Sequence, residues 1–334
     1  MMKNRQRNIR IGISIVGSLL GCLLMSHLIT NLVGKSKSDI DKTKYHVAII
    51  CKSTQSSFFK AVFAGANAAS TEYNLTVSYG GPSNEEDEKT QNKLINQAVK
   101  HGAEVIVLSA VDYNANAKAV EDAASKGVKI IVIDSDVNSN VVGCRISTDN
   151  YKAGQMAGEA VLTCKDEILN IGIVNFDKNS ANGQQREEGF RDKISEDKRV
   201  NLVKTIHVNS NTEAAKEATK ELFIAHPEIN VVATFNEWTS LGVGYAISEL
   251  GLKDEVTVAA FDNNVISVGM LESGEVDALI VQNPYAMGYL GVEYAYKYIY
   301  GLPIVKEQID TSTTLVTREN MYDEAYQRIL FPFN

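Results

Sequence analysis

From residue 45 onward, short runs of Val, Ile and Ala alternate with longer stretches whose apolar residues recur every three or four positions. The runs HVAII (46–50), LTVSY (75–79), EVIVLS (104–109), KIIVI (129–133) and VVGCRIS (141–147) are interleaved with helical patterns at 57–73, 84–101, 114–126 and 150–163. ILNIGIV (168–174), NLVKTIH (201–207), NVVATF (230–235), VTVAAF (256–261) and DALIV (277–281) repeat the scheme, with helical patterns at 182–196, 211–225, 238–250, 264–273 and 284–300. Near-continuous β-branched runs mark strands buried on both faces, hence parallel sheets covered by helices, and the alternation is that of βαβ units. About ten strands in two sets of five predict an α/β chain of two doubly wound parallel-sheet lobes.

The first 44 residues break this pattern. Lys3, Arg5, Arg7 and Arg10 precede a 24-residue run, Ile11 to Gly34, without Lys, Arg, Asp or Glu. A bilayer core takes about 20 helical residues, and a basic flank stays in the cytoplasm. The segment therefore reads as a single-pass transmembrane anchor in the cell membrane, with the rest of the chain extracytoplasmic and SKSDIDKTK (36–44) as a polar tether. A cleaved signal peptide has a shorter apolar stretch and a small-residue cleavage site. The sequence LLGC hints at a lipid anchor on Cys22, yet Leu23, Leu24 and Met25 carry the apolar run past it.

Composition narrows the function. The chain has 334 residues, 44% hydrophobic and 22% charged, with a net charge of −8. That balance suits a chain with a real core and disfavours a nucleic-acid partner. Cys22, Cys51, Cys144 and Cys164 form no CxxC pair and have no metal-ligand spacing with the five histidines. Cys51 reads as a small buried hydrophobe. A Cys144–Cys164 disulfide is permitted outside the cell, if the helix at 150–163 returns along its preceding strand. DSDVNSN (134–140) begins like a calcium loop but has Ser139 and Arg145 where Gly and Glu belong. GVGYAI (242–247) lacks the third Gly of a dinucleotide fingerprint. No nucleophile stands with a base, so the expectation is binding without catalysis, with no cofactor and no metal.

In open α/β sheets, ligands sit beyond the carboxyl ends of the strands. The polar segments there are 53–58, 109–112, 134–136, 175–177, 236–238, 262–264 and 282–283, rich in carboxylates, amides and aromatic rings, with no Lys or Arg before Lys178. Such groups exchange hydrogen bonds with hydroxyls and cover apolar C–H faces, which points to a neutral polyhydroxyl ligand. Phe59, Val62, Phe63 and Ala66 share one helical face. Phe58 points elsewhere and reads as one wall of a sugar slot. An Asp directly after a strand is alternatively an N-cap for the next helix.

At these positions the chain resembles the type 1 periplasmic sugar-binding proteins of the ribose, galactose and xylose group. The resemblance rests on SSFFKAVFAGANAAS, VKIIVIDSD, STDNYKAGQMAG, REEGFRDKI, IAHPEINVVATFNEWTSLG, VTVAAFDNN and ALIVQNPYAMG, in that order along the chain. It implies a sugar site at Phe58, Phe59, Asp134, Asn236, Asp262 and Gln282. The family often carries Asn where Ser56 stands, and Arg where Ser135 and Gln184 stand. The loss of those arginines puts xylose or another pentose ahead of ribose, with Arg186 a substitute for the second. Trp238 either adds a ring to the wall or caps its helix on the solvent side. The resemblance further implies two lobes, 45–148 with 283–311 and 149–282 with 312–334, hinged near Thr148, Asn283 and Thr311 and closing on the ligand. Anchored receptors of this kind are similar to xylose sensors that signal to a membrane histidine kinase of a two-component system. The alternative is a substrate-binding component that serves an ABC-type permease. A sugar repressor of the same fold would need an N-terminal helix-turn-helix, which the apolar run excludes.

Overall fold

A computed structural model describes residues 44–331. The anchor expected at Ile11–Gly34 and the lipid alternative at Cys22 lie outside the described residues. Among the described residues, no helix is long and apolar enough to cross a membrane.

Residues 45–331 carry two six-stranded sheets. The first runs in the order β2 (Thr76–Gly80), β1 (His46–Ile50), β3 (Val105–Leu108), β4 (Lys129–Ile133), β5 (Val142–Thr148) and β11 (Gln308–Thr311). The second runs in the order β7 (Val200–His207), β6 (Leu169–Asn175), β8 (Val231–Thr234), β9 (Thr257–Phe261), β10 (Ala278–Val281) and β12 (Thr314–Thr317). Every pairing is parallel except β12 against β10. The two sheets thus repeat one winding order.

Period-two alternation places each sheet between two apolar layers. On one face of the first, Val47, Ile49, Val107 and Ile131 pack with Phe59 and Val62 of α1 (Ser57–Glu72) and Val292 of α9 (Pro284–Ile299). On the other, Ala48, Ile106, Leu108 and Val132 meet Ile95 of α2 (Glu88–Lys100) and Val120 of α3 (Ala117–Ala124). The second sheet lies between α4 (Asn150–Leu162) with α5 (Ala181–Ile194) and α6 (Thr212–Ala225) with α7 (Glu237–Leu250) and α8 (Val265–Ser273). A final helix, α10 (Glu324–Leu330), closes the chain.

The chain crosses between sheets three times. It leaves β5 for α4, which packs against α5 of the second lobe; it leaves β10 for α9, which packs against α1 of the first; and it passes from β11 to β12 through Ser312 and Thr313. The helix pair α4–α5 approaches so closely that a Cβ on Gly154 would lie 2.0 Å from the Arg186 carbonyl oxygen. The pair α1–α9 repeats this contact, with Gly288 against the Val62 carbonyl oxygen at 1.9 Å.

Two expectations are corrected. The described residues hold twelve strands rather than about ten, because β11 and β12 are short edge strands, polar in part, that carry no continuous apolar run. Cys144 and Cys164 are free thiols. The helix after β5 does not return along its strand but joins the other lobe, so Cys144 lies in the core of the first lobe and Cys164 against that of the second.

Candidate functional site

Both lobes turn the carboxyl ends of their strands toward one cleft, and the same device ends a central strand in each. Asp134 follows β4 with φ 55°, and Asp262 follows β9 with φ 69°. The left-handed region is uncommon for residues other than Gly, with Asp among the more tolerant, and such outliers gather at functional sites. The two aspartates accept this backbone in equivalent settings: Asp134 N donates to Ile146 O at 3.1 Å and Asp262 N to Ile280 O at 3.0 Å, each from the neighbouring strand.

The first lobe adds the start of α1. Ser56 caps it, accepting from Phe59 N at 3.2 Å, and Phe58 and Phe59 stand edge to face with ring centroids 5.2 Å apart. From the second lobe, Asn236 caps α7, its side-chain oxygen accepting from Thr239 N at 3.0 Å. Arg186 projects from α5 and is 1% exposed. Its Nε donates to Asn150 Oδ1 at 2.9 Å, Nη1 to Phe235 O at 2.7 Å and Nη2 to Gln282 Oε1 at 2.6 Å. Gln282 Nε2 in turn donates to Asp262 Oδ1 at 2.6 Å, and Thr148 Oγ1 donates to Gln282 Oε1 at 2.8 Å.

Eight of the ten residues singled out in the sequence line one enclosed cavity: Ser56, Phe58, Phe59 and Asp134 from the first lobe, and Arg186, Asn236, Asp262 and Gln282 from the second or from the crossing after β10. Two do not. Ser135 is buried behind the wall, its Oγ 3.5 Å from Ser180 Oγ. Trp238 takes the solvent-side one of its two alternatives, in an outer groove with Thr212, Lys216 and Tyr245 of α6 and α7. One residue advances a helix by about 100°, so the neighbouring Glu237 faces the cleft and Trp238 turns away. The same geometry governs the arginine. Asn182 and Arg186, four apart, share the inner face of α5, whereas Gln184 is exposed and bonds the Lys178 carbonyl.

Five further residues line the cavity: Phe176 and Glu237 fall within the strand-end segments 175–177 and 236–238, whereas Lys52, Glu85 and Asn182 lie outside every strand-end segment read from the sequence. Lys52 overturns the expectation that no cation precedes Lys178. It stands one residue before the loop at 53–58, buried, with Nζ donating to Ser180 Oγ at 2.8 Å, 3.6 Å from Glu85 Oε2 and 4.9 Å from the Phe176 ring centre. Asn182 Nδ2 donates to Asp134 Oδ1 at 3.0 Å, while Ser109 Oγ donates to Asp134 Oδ2 at 2.7 Å.

Four carboxyl groups therefore face two cations. Burial pushes the Asp262 carboxyl up to about 7, against the opposing pull of Arg186 and the Gln282 hydrogen bond. Burial also raises Glu85, countered by Lys52 and Ser210, and it lowers Arg186, which the charges of Asp262 and Asp134 hold up. Cys51, beside the site, is pushed well up by burial and so is a poor nucleophile. Among the described residues no group of His, Cys, Asp and Glu is arranged to hold a metal ion.

The enclosed space is about 20 Å³, which admits about one water. On the hinge side, Phe58, Asp262 and Gln282 separate it from a groove of about 640 Å³ that Tyr285 and Leu330 also line. Hydrogen-bonding groups from both lobes converge here. Fold and site together are those of a two-lobed binding protein.

The chain belongs to the family of the periplasmic binding protein domain, whose model matches residues 47–303. This is a family of binding proteins rather than enzymes. The chain is 25% identical over 288 residues to the D-ribose/D-allose-binding protein of Pseudomonas aeruginosa, covering 82% of this chain and 89% of that one. A carbohydrate transporter solute binding protein from Agrobacterium radiobacter, solved with D-arabinose, superposes with a TM-score of 0.83 at 30% identity, over 87% of this chain and 100% of that one. A XylFII–LytSN complex contains a chain with a TM-score of 0.77 at 25% identity, over 83% of this chain and 99% of that one.

Proposed function

We propose that the protein is a membrane-tethered extracytoplasmic receptor for a neutral monosaccharide, a pentose such as xylose foremost, which closes on the sugar and signals to a membrane histidine kinase of a two-component system. The observation that carries the sugar reading is the single cavity lined by Phe58, Asp134, Arg186, Asp262 and Gln282. Rings cover C–H faces, and charged hydrogen-bond partners take hydroxyls. The surplus of carboxylates over cations at the wall opposes sugar acids and sugar phosphates.

In this reading residues 45–148 with 283–311 form one sugar-binding lobe, and 149–282 with 312–334 the other. Asp134 and Asp262, on opposite lobes, reach one ring together only when the cleft is shut, so sugar favours the closed form. The likeness to the XylFII–LytSN complex supports signalling as the output. The alternative, the binding component of an ABC-type sugar transporter, is favoured by the likeness to the Agrobacterium radiobacter transporter protein.

Calorimetry of the full chain against a panel of neutral pentoses, hexoses and amino acids tests the ligand: heat with a neutral sugar is expected, and heat with amino acids alone overturns the reading. Cys22→Ser tests the tether. The variant is expected to stay with the membranes at its encoded N-terminus, whereas its release, or an acylated Cys22 in the wild type, establishes a lipid anchor and favours transport.

A further inference from the structure

Several contacts join the lobes directly, some of them through residues that also line the cavity. Glu237, the first residue of α7 in the second lobe, is 6% exposed. Its Oε1 accepts from Ser57 N at 3.2 Å and its Oε2 from Phe58 N at 3.1 Å, both at the start of α1 in the first lobe. The first N–H groups of a helix have no intrahelical acceptor and carry its partial positive charge. A carboxylate from the opposite lobe satisfies both needs. Asn264 Nδ2, from the second lobe, donates to Glu237 Oε1 at 3.0 Å and holds the side chain in place.

A second contact of the same kind is built with the lobes exchanged. Glu85 and Glu86, from the loop between β2 and α2 of the first lobe, receive Ser210 of the second. Ser210 Oγ donates to Glu85 Oε2 at 2.8 Å, and Ser210 N donates to Glu86 Oε1. Asn236 Nδ2 braces this contact from behind, donating to Ser210 Oγ at 2.6 Å. Each lobe thus offers a carboxylate to backbone or hydroxyl donors of the other, and these four interlobe bonds exist only while the lobes are in contact.

We infer that Glu237 and Glu86 are positioning residues for closure: two carboxylate clamps that favour the closed arrangement, raise the fraction of ligand-free protein competent to bind, and so set the apparent affinity. Glu237 also lines the cavity, whereas Glu86 does not, which lets closure be separated from direct contact with the ligand. The apparent dissociation constant is the intrinsic one divided by the fraction of competent, closed protein. A hydrogen bond to a charged group is worth about tenfold or more in an equilibrium. Loss of one clamp therefore weakens binding by about tenfold if the wild type is mostly open, by about twofold if it is roughly nine-tenths closed, and by less if it is closed further.

The test is solution scattering on the full chain in detergent, without sugar, for the wild type, Glu86→Ala and Glu237→Gln, followed by calorimetry on the same samples. Both variants are expected to show a larger ligand-free radius of gyration than the wild type and to contract to the wild-type closed value with sugar. Unchanged ligand-free scattering in both variants overturns the inference. An affinity loss in Glu237→Gln with unchanged scattering overturns it too, by showing direct sugar contact alone. The affinity arm rests on the sugar-binding reading, but the ligand-free arm does not. Expansion of the variants with no sugar bound by any sample would sink that reading and leave the clamps standing.

Discussion

Replacing Asp262 by Asn removes a charge while keeping the shape of the site. Asn tolerates the left-handed backbone that Asp262 adopts at φ 69°, and its amide oxygen still accepts from Gln282 Nε2, 2.6 Å away in the native protein. Ala would confound the result by adding strain of about 1–2 kcal/mol at that φ. Burial raises the carboxyl from 3.8 to about 7, so the closed, folded protein holds this proton more tightly than the unfolded chain. The stability linked to it is fully present below about pH 4 and is lost as pH rises through about 7. At about 1.4 kcal/mol per pKa unit, the displacement corresponds to a ceiling of about 4 kcal/mol. Opening of the cleft hydrates Asp262 without unfolding either lobe, so global unfolding registers only the part below the free energy of opening. Glu85, raised for the same reason, contributes in the same direction. Asp262→Asn is therefore expected to be more stable than wild type at pH 8, to lose most of that advantage by pH 5, and to flatten the pH dependence. Sugar binding moves the opposite way. A hydroxyl bonded to a carboxylate contributes about 1.5–3 kcal/mol, so affinity falls by roughly tenfold to a hundredfold. Denaturant melts at pH 5 and 8 with calorimetry at pH 8 decide the matter. Wild-type affinity in the variant would show that the Asp262 carboxylate holds no sugar hydroxyl, and a variant less stable than wild type at pH 8 would show that its buried charge is not destabilising.

Two further substitutions extend the test. Arg186→Met deletes three buried hydrogen bonds and leaves Asp134 and Asp262 without their guanidinium; a destabilisation of about 3–5 kcal/mol is expected, read as a lower urea midpoint that recovers in part at pH 5, where Asp262 is protonated. Trp238→Ala, in the outer groove with Lys216 and Tyr245, is expected to leave sugar affinity within about twofold of wild type, and a tenfold loss by calorimetry would return Trp238 to the wall.

The parts of this architecture that were legible in the sequence are those governed by local pattern. KIIVI and ALIV are buried over nearly their whole length, and a strand covered on both faces announces itself by apolar continuity. The aspartates after β4 and β9 were legible for the same reason, since each is the first polar residue beyond such a run. QIDT and TLVT escaped because each is only four residues long and half or more polar, too short and mixed to show an apolar run. Lys52 escaped because it follows Cys51, a buried residue beyond the end of β1, so the apolar run stops before the segment that faces the cleft. Its partner Ser180 is 128 residues away and on the other lobe. Glu85 sits in a turn-like loop and acquires meaning only from Ser210, 125 residues on. Interlobe pairing is a property of how two lobes meet, and no periodicity within either one encodes it.

If one neutral sugar is held between the lobes by groups from both, a crystal structure of the sugar complex will show it. The ring is expected between Phe58 and the strand ends, within hydrogen-bond distance of Asp134 on one lobe and of Arg186 and Asp262 on the other, in a cavity enlarged beyond the present 20 Å³ or so. Sugar density confined to the hinge-side groove beside Tyr285 and Leu330, or resting on a single lobe, would contradict it.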